Sequence, residues 1–241
     1  MQPTAANFVR RAVSAIHCLH PTTFCEAGNA FAIALTIEPD NASADVWRAF
    51  WHLLLVGQGW AKDPSAESQR AGELAERAIR LDCNNDAELL SLAGHIRSFL
   101  YKRPEEARDS QELATVANPD LPLAWSLLGA ANIYLGLYDE AITHINRAQS
   151  LSPHDSLSFF LDNFQMMAPA GRRDFAAAAT VGRRTLALNP WFSSTYICHL
   201  GRRDVAVLAT TDIVRVEFSA DCRRLFVLGH RQQSDAQAVV V

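Results

Sequence analysis

The sequence of 241 residues predicts an all-α fold, a solenoid of stacked antiparallel helix hairpins ending in a short β-prone tail. Three observations predict it. One skeleton of small residues recurs five times, helical periodicity precedes the copies, and glycine, proline or aspartate marks the joints between them.

The skeleton runs Ala27-x3-Phe31-x2-Ala34-x4-Pro39, Ala71-x3-Ala75-x2-Ala78-x4-Cys83, Ala107-x3-Gln111-x2-Ala114-x4-Pro119, Ala141-x3-Ile145-x2-Ala148-x4-Pro153 and Ala178-x3-Gly182-x2-Thr185-x4-Pro190. Helices packed closely in a hairpin admit only small side chains at nearest approach, and proline stops the helix, so each copy reads as the second helix of a pair. Equivalent ends lie 44, 36, 34 and 37 residues apart.

Apolar residues spaced i, i+3, i+4 place first helices over residues 42–56, 87–100, 123–135 and 157–167. Gly136 and Gly171 supply permissive helix ends, Asp139 and Asp174 are placed to cap the next start, and Pro104 suits a first helical position. The 44-residue interval is assigned to a loop of about ten extra residues from Gly57 to Pro64.

The best-formed copy couples Trp125-x2-Leu128-Gly129 to Ala141-x3-Ile145-x2-Ala148. Together with the period near 34 residues, it resembles the tetratricopeptide (TPR) family over residues 26–200. The resemblance implies a right-handed solenoid whose concave face, lined by first helices, grips a protein or peptide partner. More narrowly, "WRAFWHLLLVGQGWAKDP" and "LPLAWSLLGAANIYLG" resemble the C-terminal arrays of bacterial winged-helix transcriptional regulators and class III adenylate cyclases. Several positions depart from the family pattern. Asn132 replaces the pattern's tyrosine, Cys83 replaces a proline, and the repeat beginning at Trp191 is expected to be cut short.

Residues 1–25 are read as an N-terminal helical segment and 201–241 as a β-prone tail, either truncated or rearranged, or a small β-hairpin docked on the end of the array. In the tail, period-two alternation predicts strands at 213–218, 224–228 and 238–241. "VRVEFSADCRRLFVLG" resembles one propeller hairpin, and one blade cannot close a propeller.

The formal net charge of −4 is divided, with −8 over residues 1–170 and +4 over 171–241. The arginines of the second part do not form the basic stripe of a nucleic-acid surface. No stretch reaches the roughly 18 apolar residues of a membrane span, and no signal peptide follows Arg10 and Arg11. Five cysteines without a C-x-x-C spacing suit a reducing cytoplasm better than a disulfide framework.

Nothing in the sequence assembles a nucleophile, a base and an orienting group, so a non-enzymatic chain without cofactor or metal is expected. His17, Cys18, His20 and Cys25 have zinc-compatible chemistry but no finger spacing. Adjacent Cys198 and His199 cannot easily face each other, and Gly57-Gln58-Gly59 lacks a phosphate-loop ending. Glu105, Glu106, Asp139 and Glu140 complement helix dipoles, while Trp47, Phe50, Trp51 and Trp60 read as core. Extending the register of Trp125 across the repeats selects Arg48, His52, Ser91, His95, Ser126, Tyr134 and Gln165 as partner-binding side chains. The predicted function is a cytoplasmic protein-interaction scaffold, or alternatively a sensory part of a bacterial signalling regulator.

Overall fold

A computed structural model of the chain describes residues 3–153, 155–189, 191–192, 213–218, 225–229 and 238–240. Ten helices precede three short strands among these residues. The helices form five hairpins: α1 (Ala5–Cys18) with α2 (Pro21–Ile37), α3 (Ala42–Gly57) with α4 (Pro64–Leu81), and α5 (Ala87–Leu100) with α6 (Pro104–Ala117). The last two are α7 (Pro122–Leu135) with α8 (Tyr138–Leu151), and α9 (Ser158–Gly171) with α10 (Phe175–Leu188).

Local chemistry sets the helix starts. Asn41, Asp63, Asp86 and Asp174 each accept a hydrogen bond from the amide three residues on, satisfying a donor that the first turn leaves unpaired. Prolines open α2, α4, α6 and α7, where no amide hydrogen is needed. Gly136 ends α7 with φ +79°, a left-handed conformation that favours glycine. At the next hairpin the left-handed residue is Arg173 instead, because Gly171 is still helical. Asp139 does not cap α8: it lies within the first turn, after Leu137.

Each hairpin closes through the predicted small residues. Ala71, Ala75 and Ala78 on α4 are buried, as are Ala107, Gln111 and Ala114 on α6 and Ala141, Ile145 and Ala148 on α8. A methyl group at Gly129 would stand 2.6 Å from Ile145 Cγ1 and 3.2 Å from the Ala141 carbonyl oxygen, so this glycine sets how closely α7 meets α8. The insertion in the second hairpin is distributed differently from the expectation. Its loop spans only residues 58–63, and the remaining extra residues extend α3 to 16 residues and α4 to 18, against 14 for each helix of the later hairpins. Helix α9 also outruns its predicted end and carries Pro169 inside its last turn. Helix α2 runs unbroken through residue 25, so residues 5–37 make one hairpin.

Consecutive first helices pack side by side, and each second helix packs on the first helix that follows it. The row of first helices then curls on itself. Phe160 of α9 stands edge to face with Phe50 of α3 at 5.3 Å and with His95 of α5 at 5.6 Å. Phe164, one turn on, reaches His95 at 5.5 Å. Phe192, after the last hairpin, covers Phe159 at 5.2 Å, and a single apolar core runs from Ala12 to Phe192.

In the tail, β1 (Ile213–Phe218), β2 (Leu225–Gly229) and β3 (Ala238–Val240) form an antiparallel sheet in sequence order. The predicted turn at Ser219–Cys222 and the expected break in the repeat after Phe192 lie outside the described residues. Cys18 and Cys83 are free thiols, whereas Cys25 is disulfide-bonded.

Candidate partner-binding face

The first helices carry the candidate side chains, and the structure divides them into groups that face different ways. Ser91 and His95 belong to α5 and Ser126 to α7; His95 sits on the inner face, whereas Ser126 lies between α7, α8 and α9 beside Ile145, Ala148 and Asp162. All three are at most 1% exposed. None of the three lines an open groove, and for His95 the physical reason is the curl of the array, which brings aromatic rings of α9 onto it. Ser91 donates to the Ala87 carbonyl at 2.6 Å. His95 Nδ1, Ser126 Oγ and Asn163 Oδ1 have no hydrogen-bond partner in the protein. Burial holds the His95 imidazole neutral, lowering its pKa to about 3, and Lys102 adds to the shift.

Arg48, His52 and Gln165 point elsewhere. His52 Nδ1 pairs with the Glu67 carboxylate of α4, and Gln165 exchanges hydrogen bonds of 2.8 and 2.9 Å with Gln149 of α8. Desolvation lowers the pKa of His52, with Glu67 opposing the shift, and lowers that of Arg48 as well. Tyr134 is half-buried and packs against the core. The error lies in the register. Trp125 itself faces the second helices, with Nε1 donating to the Pro119 carbonyl at 2.8 Å and its ring 5.7 Å from His144. Positions in step with it consequently meet the hairpin partner.

The first helices hold a further feature. Asp45 and Asp162 lie near the starts of α3 and α9, and both are buried. Arg77 clamps Asp45 through two hydrogen bonds, the one from Nε at 2.6 Å, and Arg184 Nε donates to Asp162 at 2.9 Å. Arg77 and Arg184 each stand six residues after the first alanine of their skeleton. This shared offset was the available signal. Each pair ties a first helix to its second helix and satisfies a carboxylate that would otherwise be buried alone.

The ends of the array also meet. Ser156 Oγ lies 2.7 Å from His17 Nδ1, Asn189 Nδ2 donates to the Cys18 carbonyl at 3.0 Å, and the Trp191 ring meets His20 at 5.4 Å. The histidines of the zinc-compatible segment are thus engaged with the last hairpin. Among the described residues no group of three or more His, Cys, Asp or Glu is arranged to hold a metal. No described helix is long and apolar enough to cross a membrane.

Five hairpins stacked in this order define a TPR-type helical solenoid. No family model and no curated protein matches the chain. Among solved structures it is similar to TTC0263, a TPR protein of Thermus thermophilus, with a TM-score of 0.59 and 16% identity, covering 80% of this chain and 100% of that one. It is also similar to human IFIT1, solved as a dimer with m7Gppp-AAAA, with a TM-score of 0.60 and 14% identity, covering 86% of this chain and 47% of that one. At these identities the likeness establishes the fold alone.

Proposed function

We propose that the chain is a non-enzymatic scaffold that binds a protein or peptide partner. The observation that carries this reading is the stack of five helix hairpins, an architecture whose usual employment is gripping another protein. Ser91, His95, Ser126 and Tyr134 contribute to partner contact from the first helices. His52 and Gln165 support it by tying first helices to neighbouring second helices. The scaffold needs no cofactor.

Capture with the full chain, followed by reconstitution of the purified pair, tests this reading. A complex of defined stoichiometry in analytical ultracentrifugation is expected. Turnover of a small-molecule substrate by the purified chain alone would contradict it.

A second reading, a sensory or regulatory portion of a bacterial signalling regulator, draws on the sequence phrases around Trp47–Trp60 and Pro122–Leu135. A winged-helix or cyclase domain that binds the purified array and changes its output is the expected result. Indifference of such a domain to the array removes this reading.

A further inference from the structure

The inner face of the array is occupied by the chain itself. Phe160 and Phe164, one turn apart on α9, bracket His95, and Phe160 reaches across to Phe50. Two polar atoms buried on these elements, His95 Nδ1 and Asn163 Oδ1, have no hydrogen-bond partner among the described residues. Buried polar atoms left in this state carry a cost, so the closed arrangement does not satisfy the face it covers. Beside the apolar core, polar contacts join the two ends of the array. They include the hydrogen bonds His17–Ser156 and Asn189–Cys18, together with the ring contact His20–Trp191.

We propose that this seam between the first and last hairpins is a latch, and that its opening frees the inner face for a partner helix bearing two aromatic side chains one turn apart. The choice of occupant follows from what lies there now: a helix with that spacing, seated against Phe50 and His95. Helix-in-groove recognition uses anchors at i and i+4 in this way. The polar atom of His95 then becomes available to the partner's polar groups. The proposal rests on the scaffold reading and adds its regulation and the chemistry of its ligand.

The test opens and locks the seam in the full chain. S156A, N189A and W191A are combined to open it. In a second protein, N189C is joined to the free thiol of Cys18 by a short bismaleimide, with C83S removing the other exposed free cysteine. The probe is a synthetic peptide of residues 158–171, SFFLDNFQMMAPAG, alongside a version carrying F160A and F164A.

The seam variant is expected to keep its far-ultraviolet helicity, expand in small-angle scattering, and bind the aromatic peptide at least tenfold more tightly than the locked protein. The altered peptide should not bind. An unchanged radius of gyration overturns the latch, and so does loss of helicity, which would make the seam part of the folding core. An expanded variant that ignores the peptide overturns the assigned occupant. Scattering reads the latch without any natural partner, so its failure is distinguishable from failure of the scaffold reading, which partner reconstitution tests.

Discussion

Phe50 of α3 and Phe160 of α9 stand edge to face at 5.3 Å although 110 positions separate them in the chain. Neighbouring hairpins of a solenoid usually touch only each other, so this contact marks an array that has closed on its own inner face. Truncating a fully buried phenylalanine typically costs about 3–5 kcal/mol, and an aromatic pair adds about 1 kcal/mol of coupling. F50A and F160A should each fall in that range by urea unfolding. The double mutant should lose about 1 kcal/mol less than the sum of the two, and strict additivity would show that the rings do not meet.

Glycine substitutions should separate rigid from yielding contacts. At Gly129 an added methyl meets the Ala141 backbone carbonyl as well as Ile145, and backbone cannot give way cheaply. G129A is expected to destabilise by about 1–3 kcal/mol. At Gly72 the obstacle is the hydroxyl end of Tyr101, which is 42% exposed and can swing out with loss of its hydrogen bond to Ser68. G72A should therefore cost less than G129A in the same denaturation experiment. The reverse order would show that the hairpin spacing is set elsewhere.

The two aspartate–arginine ties make a prediction about removing one partner. Arg184 is about half exposed, whereas Asp162 is buried, so R184M leaves a carboxylate without its cation. A loss of about 1–2 kcal/mol is expected, below that for a wholly buried pair because solvent screens the guanidinium. Adding D162L to R184M should recover part of it. Failure of the second change to recover any stability would assign the loss to packing of the arginine stem.

Acid should weaken the fold through His95. Its pKa drops from 6.5 to about 3 on burial, so between these values the unfolded chain binds a proton that the folded chain refuses. Stability conferred by keeping this ring neutral is present above pH 6.5 and declines as pH falls, by at most about 1.4 kcal/mol per pH unit for one group. Burial also lowers His17, His52 and His144, and they act in the same direction. H95F keeps an aromatic ring beside Phe160. It should lose less stability than the parent between pH 7 and pH 5, measured as the shift in denaturation midpoint, and equal losses would contradict this role.

Much of the fold was legible because the repeats impose local constraints. Ala107, Gln111 and Ala114, or Ala141, Ile145 and Ala148, announce a closely packed second helix through their size and spacing alone, and all six are buried. The binding face was less legible. Whether His95 meets solvent depends on how far the array curls, a sum of small rotations between hairpins that no single segment records. His52 meets Glu67 of α4, because the register of Trp125 faces the second helices and not the inner face. The closure between Phe50 and Phe160 had no sequence signal beyond a surplus of aromatic residues on α9.

Nuclear Overhauser spectroscopy on protein with labelled phenylalanine and histidine tests the closed inner face most directly. If Phe50, His95 and Phe160 pack as described, cross-peaks link the Phe160 ring to both the Phe50 ring and the His95 ring. Absence of both, with the Phe160–Phe164 cross-peak within α9 still present, would show an intact helix in an array whose inner face is open.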